Sequence, residues 1–395
     1  MMRHPIASPQ VDDTRERGFT LVELMVSLAI TTVILGATMA AMGDAVKATD
    51  SATQITTLNN GLRTGMDLMI RDLMQAGQGL PAGRVIGLPN GNGATMIMLP
   101  GPPGSNIQYD GSSFCPSDPN DPSPDDQCEQ LSAIIPGPGM GPELAENGLR
   151  TDMMWILAAD SAFERVPLSR FAPTGRSIEI HSSVNITDGG PDDLHAGDLI
   201  MLTKGSASVL LQVTVEPTSQ EIKLDHGDSM NLNQSAAYNG TMHSMKLYAP
   251  PDDDVAGPGG RLVTEATRIR MTSYYIDAVT NPRRPRLVRR MNNGDPLIFD
   301  NNLGTAVAFD IENMQITYDI ADGVTNPANV RMTDADLDGT GACAPRACSP
   351  NQIRKVNLLL SGRSQRPMRI TRQFFHNTLV TQISLRSLAF VDRYR

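Results

Sequence analysis

The stretch that decides the fold is residues 17–23, RGFTLVE, which runs directly into the apolar segment FTLVELMVSLAITTVILGATMAAMG of residues 19–43. Glu23 is the one charged residue in that segment. A helix needs about 20 apolar residues to cross the hydrocarbon core of a bilayer, and this segment supplies about 25. We therefore predict a transmembrane helix over residues 19–43, with one carboxylate near its start. A charge at such a position is costly and points to a function.

Charges on either side of the apolar segment predict how it lies in the membrane. Arg15 and Arg17 precede the segment, whereas Lys47 follows it in the company of two aspartates. Positively charged flanks stay on the cytoplasmic side. We therefore expect the leader, residues 1–18, to lie in the cytoplasm and everything after Gly43 to be exported.

The leader differs from a secretory signal, whose cleavage site follows the apolar core at small residues. Here a polar leader precedes the core, and the G-F-T-L-V-E motif of residues 18–23 resembles the signal of type IV prepilins. The resemblance implies that a prepilin peptidase cuts between Gly18 and Phe19 and methylates the new amino terminus. It also implies that Glu23 pairs with the terminal amine of a neighbouring subunit, since an unpaired buried charge is strongly destabilising. An uncleaved membrane anchor with a chance glutamate is the alternative.

A helical pattern continues beyond the apolar segment. Over residues 44–78, apolar side chains recur at steps of three and four and mark one face of an amphipathic helix: Ile55, Leu58, Leu62, Met66, Met69, Ile70 and Leu73. Gly77 and Gly79 then interrupt the pattern. The sequence therefore predicts one helix of about 50 to 60 residues, from Phe19 to about Ala76.

The remainder, residues 79–395, alternates short apolar runs with loops rich in Pro, Gly and Asp, which is typical of β structure. We predict strands at residues 95–99, 153–158, 177–181, 195–202, 209–214, 221–225, 267–276, 286–291, 307–319, 355–361 and 369–388. The expected fold class is α+β, with a long N-terminal helix packed on a β-rich head. A division of that head into residues 79–250 and 260–395 is left open.

Several segments resemble PilW-type minor pilins of the type IV pilus. Residues 69–77, MIRDLMQAG, are similar to the R-D-L-x-Q-A-G element that closes the long helix in these proteins and in the type II secretion pseudopilin J. Residues 311–318 and 355–364 are similar to two later strands of the same family. The resemblance implies a subunit of the inner membrane that moves into a pilus, where it helps to prime assembly or lies at the tip. Its implied partners are the peptidase, other minor and major pilins, and a tip adhesin.

Two alternatives remain at this point. A type II secretion pseudopilin uses the same signal, but its head is usually smaller and lacks a second set of strands. A membrane-anchored adhesion module that never polymerises is the alternative from another class of protein. The chain has 395 residues and a net charge of -10, which argues against nucleic acid as its main partner. We find no G-x-S-x-G, H-E-x-x-H or Walker-type motif, so we expect neither an enzyme nor a required cofactor.

Four cysteines in an exported, oxidising setting predict two disulfides, and the sequence alone allows three pairings. The most local choices are Cys115 with Cys128 and Cys343 with Cys348.

A possible metal site is the motif Asp334-x-Asp336-x-Asp338-Gly339, which matches the start of an EF-hand loop and could bind calcium through its carboxylates. Pro345 stands where that loop has its bidentate Glu, so a plain Asp/Gly turn is the alternative.

Overall fold

The long N-terminal helix, α1, spans Leu21–Gln75 and leads into a β-rich head, which confirms the α+β fold. The computed structural model describes residues 18–80, 86–87, 97–109, 130–143, 148–172, 175–187, 189–190, 192–204, 207–233, 264–292, 304–345, 347–385 and 388. After α1, Gly77 adopts a left-handed conformation with φ +76 and donates its N–H to the carbonyl of Leu157 at 2.8 Å. Because glycine tolerates this conformation, it ends the helix and turns the chain onto the head.

The head consists of short and medium-length strands. In chain order they are β1 (Ile86–Gly87), β2 (Ile97–Leu99), β3 (Ile107–Tyr109), β4 (Gln130–Leu131), β5 (Ile134–Gly137), β6 (Met153–Ala159), β7 (Val166–Phe171), β8 (Ser177–Ile180), β9 (Leu199–Lys204), β10 (Ala207–Gln212), β11 (Glu221–Lys223), β12 (Thr264–Asp277), β13 (Arg286–Met291), β14 (Thr305–Phe309), β15 (Ile311–Ile320), β16 (Ile353–Arg363) and β17 (His376–Ser384). A one-turn helix, α2 (Asp334–Leu337), and a 3-10 turn (Pro350–Gln352) lie between β15 and β16.

Strand β12 is the central strand of a 12-stranded sheet and pairs with four others. Its first half pairs with β9 and β7, and its second half pairs with β6 and β13. Strands β8, β11 and β10 extend the first half, and their inward side chains form a separate apolar cluster around Phe163, Phe171 and Leu202. The second half carries β5 and β14 and faces α1. One long, nearly fully buried strand thus holds together the two ends of the sheet.

A 3-stranded sheet of order β15-β16-β17 lies against the C-terminal half of α1. Its side chains alternate between buried and partly exposed positions, as expected for a sheet with one covered face. The helix contributes one buried stripe to the shared core: Ser51, Leu58, Leu62, Gly65, Met66, Met69 and Leu73. A Cβ on Gly65 would lie 2.8 Å from a terminal methyl of Leu287, so a larger residue here would require the Leu287 side chain to shift.

The two sheets are joined by the buried carboxylate of Asp152, just before β6. It accepts hydrogen bonds from the N–H of Gly139 at 2.7 Å, from the N–H of Ile316 on β15 at 2.7 Å, and from the guanidinium of Arg331 at 2.6 Å. Its own N–H donates to the carbonyl of Met314 at 2.9 Å. Asp152 therefore pairs with the outer edge of β15 and leaves that edge covered.

Most predicted strands differ from the observed bounds by up to four residues, and two differ by more. Residues 307–319 form two strands in different sheets, because Asp310 takes a left-handed conformation with φ +63 and breaks the run. The described residues between 369 and 388 contain one strand, His376–Ser384, because residues 364–375 form the hairpin loop that precedes it. Strands β1, β3, β4, β5 and β7 were not predicted. The division of the head at residues 250–260 stays a prediction, and β12, which follows it, pairs with strands that precede it.

Candidate functional site

The start of α1 is held by reciprocal hydrogen bonds between Thr20 and Glu23. The Glu23 carboxylate accepts from the N–H of Thr20 at 3.0 Å and from its hydroxyl at 2.9 Å, while the Glu23 N–H donates to the Thr20 hydroxyl oxygen at 3.3 Å. This is a capping box, in which residues three apart satisfy each other's free backbone groups. The same Glu23 that the sequence marks as a subunit-pairing group therefore also caps the helix.

The part of the head that the structure describes does not cover the first half of α1. Every residue described from Gly18 to Thr49 is exposed, and Phe19 keeps 82% of its surface accessible. Helix α1 is long and apolar enough to cross a membrane, and it is the one such helix among the described residues. An apolar patch of this size needs lipid or another protein to remove it from water. This half of the helix can therefore be covered by a bilayer, by neighbouring helices, or first by one and then by the other.

Chemically, the junction can accept a positive charge. Cleavage before Phe19 would create an amine one residue before the Thr20 cap, within a turn of Glu23. In an apolar bundle a carboxylate and an amine stabilise each other, and each is destabilising when alone. The arrangement fits a group that serves the isolated subunit as a cap and an assembled subunit as an ion-pair partner. The structure does not describe the leader before Gly18.

This helix, its exposed apolar half and its β-rich head define a pilin-like architecture. Residues 13–39 match the family model described as the prokaryotic N-terminal methylation motif. No curated protein and no solved structure matches the chain. The match identifies a prepilin-type signal, which supports a pilin or pseudopilin type of protein that prepilin peptidase processes.

The C-terminal half of α1 is fixed to the head by an ion pair that crosses from helix to sheet. The Asp72 carboxylate accepts from the Tyr274 hydroxyl at 2.6 Å and from the Arg289 guanidinium at 2.7 and 3.2 Å. Tyr274 on β12 and Arg289 on β13 are cross-strand neighbours, so one carboxylate joins the helix to both strands. Burial and the adjacent Asp72 raise the pKa of the Tyr274 hydroxyl far above its usual value, so that it remains a donor.

Sequence reasoning missed this ion pair, although a signal for it was present. Asp72 lies in the R-D-L element and three residues after Met69, on the stripe that otherwise carries only apolar or small side chains. A charge on a buried stripe requires a partner elsewhere in the fold. The partner could not be chosen from the sequence, because Arg289 lies 217 residues away in a run of several arginines.

The structure contains the disulfide between Cys343 and Cys348, with their Cα atoms 5.7 Å apart. Both cysteines are buried in the core shared by α1 and the 3-stranded sheet. Cys115 and Cys128 lie outside the described residues, so their pairing stays a prediction.

The aspartate motif forms the short helix α2 and the turn after it. The buried Asp336 carboxylate accepts from the N–H and hydroxyl of Thr333, both at 2.9 Å, and from the N–H of Ala342 at 2.7 Å. Asp338 accepts from the N–H and hydroxyl of Thr340 at 2.9 and 2.6 Å. Oxygens of two of the three carboxylates in the motif thus accept hydrogen bonds from the loop itself.

Asp334, the third member of the motif, is exposed and lines a pocket of about 310 Å³ together with Tyr109, Trp155 and Met332. Among the residues that the structure describes, no three His, Cys, Asp or Glu side chains are grouped so that they could hold a metal ion. Calcium binding at Asp334, Asp336 and Asp338 stays a prediction.

Replacing Asp72 by Ala should lower the free energy of unfolding by about 2–3 kcal/mol, because the Tyr274 hydroxyl and the Arg289 guanidinium lose a charged, partly buried partner. Asp67→Ala is the matched control, since Asp67 is on the same helix but exposed, and should cost less than about 0.5 kcal/mol. Chemical denaturation of the full chain in detergent measures both. Equal losses in the two variants would show that the ion pair does not hold the helix.

If the aspartate motif binds calcium, excess calcium should raise the melting temperature of the full chain above its value in EDTA, by mass action on the folded state. Asp334→Ala should remove the response, because Asp334 is exposed and its loss leaves the Asp336 hydrogen bonds in place. Asp336→Ala is unsuitable, since it would destabilise the loop with or without metal. Identical melting curves in calcium and in EDTA would reject the site.

Proposed function

We propose that this protein is a minor pilin of the PilW type. The observation that supports the proposal most directly is the exposed apolar half of α1, which starts at a prepilin-type signal and is continuous with a helix locked into a β-rich head. Such a subunit can rest in a bilayer and later exchange lipid for the helices of its neighbours. It is a structural assembly protein, with no required cofactor and no nucleic-acid partner.

The proposed sequence of events begins with insertion, with residues 1–18 in the cytoplasm and the head in the periplasm. Prepilin peptidase then cuts between Gly18 and Phe19 and methylates the new amine. The subunit is stored in the inner membrane until it is drawn into a helical bundle, in which residues 19–43 pack together and Glu23 pairs with a neighbour's amine. The head then contributes to priming or to the tip, where other minor pilins, the major pilin and a tip adhesin are its proposed contacts.

The size of the head favours a pilus over a secretion pseudopilus. Beyond α1, a 12-stranded sheet and a 3-stranded sheet share the helix, which is more than the small head expected of a pseudopilin. Recovery of the protein from sheared pili supports the pilus assignment. Loss of type II secretion on deletion of the gene, with pili intact, supports the pseudopilin. A protein that stays in the membrane under all conditions would instead be an anchored adhesion module.

Gly18→Val should block processing, because a bulky side chain at the residue before the scissile bond cannot enter a peptidase site that fits glycine. Full-length precursor should accumulate in the membrane, as seen by mass spectrometry of the N-terminal peptide. Gly36→Val, within the span and with no head atom near it, is the matched control and should be cleaved normally. An N-terminus at Phe19 in the Gly18→Val variant would disprove the cleavage site.

Two substitutions at Glu23 should separate helix capping from subunit pairing. Glu23→Gln can keep the capping box, because an amide oxygen also accepts from Thr20, but it carries no charge. Glu23→Val loses both roles. If charge pairing drives assembly, both variants should be cleaved normally and be depleted from sheared filaments by tenfold or more, on the order of 1.4 kcal/mol or above. Wild-type incorporation of the Gln variant would contradict the pairing role.

A further inference from the structure

The β16–β17 hairpin loop, residues 364–375, is a shaped projection of the head. Ser364 donates its N–H to the carbonyl of Phe375 at 2.7 Å and closes the base of the loop. Nearer the tip, Met368 donates to the carbonyl of Gln373 at 2.8 Å, and Arg372 donates to the carbonyl of Met368 at 2.8 Å. Two rungs of hydrogen bonds therefore present residues 369–372 at the end of the hairpin.

Contacts with α1 show that this loop points towards the apolar half of the helix. At the end of β16, a Cβ on Gly362 would lie 2.9 Å from Leu58, and Asn377 on β17 donates to the Asn59 side chain at 2.6 Å. Further along the hairpin, Arg369 reaches Asp50 at 3.4 Å. The contacts thus move from Asn59 back to Asp50 as the hairpin extends.

Asp50 marks the level at which the head begins. Residues 18–49 are exposed, whereas Asp50 is half-buried and Ser51 is buried. Asp50 follows Gly43, the last residue of the apolar segment, by about 10 Å of helix rise. The polar zone of each bilayer leaflet is about 5–8 Å thick, since a core of about 30 Å lies within a total of about 40–45 Å, so Asp50 lies just beyond it and the hairpin extends back towards it. If α1 spans the membrane, the loop lies at the headgroups.

The composition of the loop suits a lipid surface. Its sequence, SQRPMRITRQFF, contains Arg366, Arg369 and Arg372 and no acidic residue, in a chain of net charge -10. Between two of these arginines, Ile370 is 65% exposed, and Phe374 is 39% exposed. Cations beside exposed aliphatic and aromatic side chains are typical of segments that bind an anionic membrane interface.

We propose that residues 366–374 dock on the anionic phospholipid headgroups of the leaflet into which the C-terminal end of the span emerges. Arg366 and Arg372 contact lipid phosphates, and Arg369 exchanges its exposed ion pair with Asp50 for a phosphate. Ile370 enters the boundary between headgroups and acyl chains. The proposal rests on the membrane anchoring of α1 put forward above. An acidic surface on another subunit would also suit the arginines, but it explains neither the exposed Ile370 nor the position of the loop beside the span.

Docking would give the stored subunit a defined position on the membrane. The head is already tied to α1 by Asp72, so the loop adds a second contact with the bilayer, beside the helix. Extraction into a filament would have to release it. The equilibrium constant for docking on the membrane should fall about five-fold for each arginine removed, since a basic residue near an anionic surface contributes about 1 kcal/mol.

The test uses the full chain with Ile370→Trp, reconstituted in vesicles of phosphatidylcholine alone or mixed with phosphatidylglycerol, each with brominated acyl chains that quench tryptophan. Trp155 is a constant background, because its indole is fully buried and donates to the Pro100 carbonyl. We expect quenching in the anionic vesicles and much less in the neutral ones. Raising salt from about 0.1 M to about 1 M should reverse it, as the Debye length falls from about 10 Å to about 3 Å.

Adding Arg366→Gln, Arg369→Gln and Arg372→Gln should shift the docked-to-undocked ratio by on the order of 100-fold and reduce quenching to the level in neutral vesicles. The matched control removes the same charge at exposed positions near the far edge of the large sheet, Arg170→Gln, Arg176→Gln and Lys223→Gln, and should quench like the parent. The salt response of the unsubstituted loop covers the case in which the triple variant fails to fold.

Absence of quenching in anionic vesicles would overturn the proposal, as would equal quenching in neutral vesicles or in the triple arginine variant. Cross-linking from position 370 to another pilin subunit in cells, without quenching in vesicles, would assign the loop to a protein contact and also overturn it. No other pilus component is present in the vesicles, so the result does not depend on filament assembly. If the Glu23 tests fail but quenching is observed, the protein is a membrane anchor whose loop docks on lipid. If quenching is absent but the Glu23 tests succeed, the protein is a minor pilin without lipid docking.

Discussion

The partly buried pairing of Asp72 with Tyr274 and Arg289 is the interaction on which the use of this molecule depends. Helix α1 is a single hydrogen-bonded ladder from Leu21 to Gln75, but the head covers only its second half. Apolar packing holds the helix against the sheet, and polar contacts add direction to that packing. A carboxylate that must reach donors on two adjacent strands fixes both its position and its rotation. Any pull on the apolar half is therefore transmitted directly to the head.

The strands around this contact make the head stiff along the direction of β12. Strand β12 receives the helix through Tyr274 and pairs with four other strands, so the load spreads through the large sheet. Asp152 joins that sheet to β15, and the disulfide of Cys343 closes the loop between β15 and β16. Buried polar groups with all partners satisfied give a core one arrangement rather than several. The tertiary structure therefore joins helix and head as one unit.

The apolar half of α1 has the opposite character, because its partners lie outside the chain. Glu23 shows this most clearly. In the single subunit its carboxylate caps the helix with Thr20, and in the filament that we propose this bond would be exchanged for an amine of a neighbour. The arginine loop between β16 and β17 stands beside the other end of the span. The membrane-facing part of the molecule thus carries an acidic group at its start and basic groups just beyond its end.

The sequence by itself determined the features that depend on local pattern. Four local features were enough to predict the long helix and its N-terminal signal. These are an apolar run longer than a bilayer core, the G-F-T-L-V-E motif, the apolar stripe that follows and the glycines that end it. The run of residues 286–291 was predicted with its full extent as β13. Breaks between strands were harder to predict. Asp310 and Arg372 adopt a left-handed backbone conformation that interrupts apolar stretches, and no neighbouring residue in the sequence signals it.

Only the tertiary structure decided which charges are partners. Asp72 and Asp152 look like ordinary polar residues until strands more than 150 residues away bring Arg289 and Ile316 to them. Arg369 likewise lies beside the span because the β16–β17 hairpin that carries it contacts Leu58 and Asn59 of the helix. Sequence patterns report which face of an element is buried, since that depends on neighbours three or four residues away. They do not report what lies across that face, because pairing over long distances depends on how the whole chain closes.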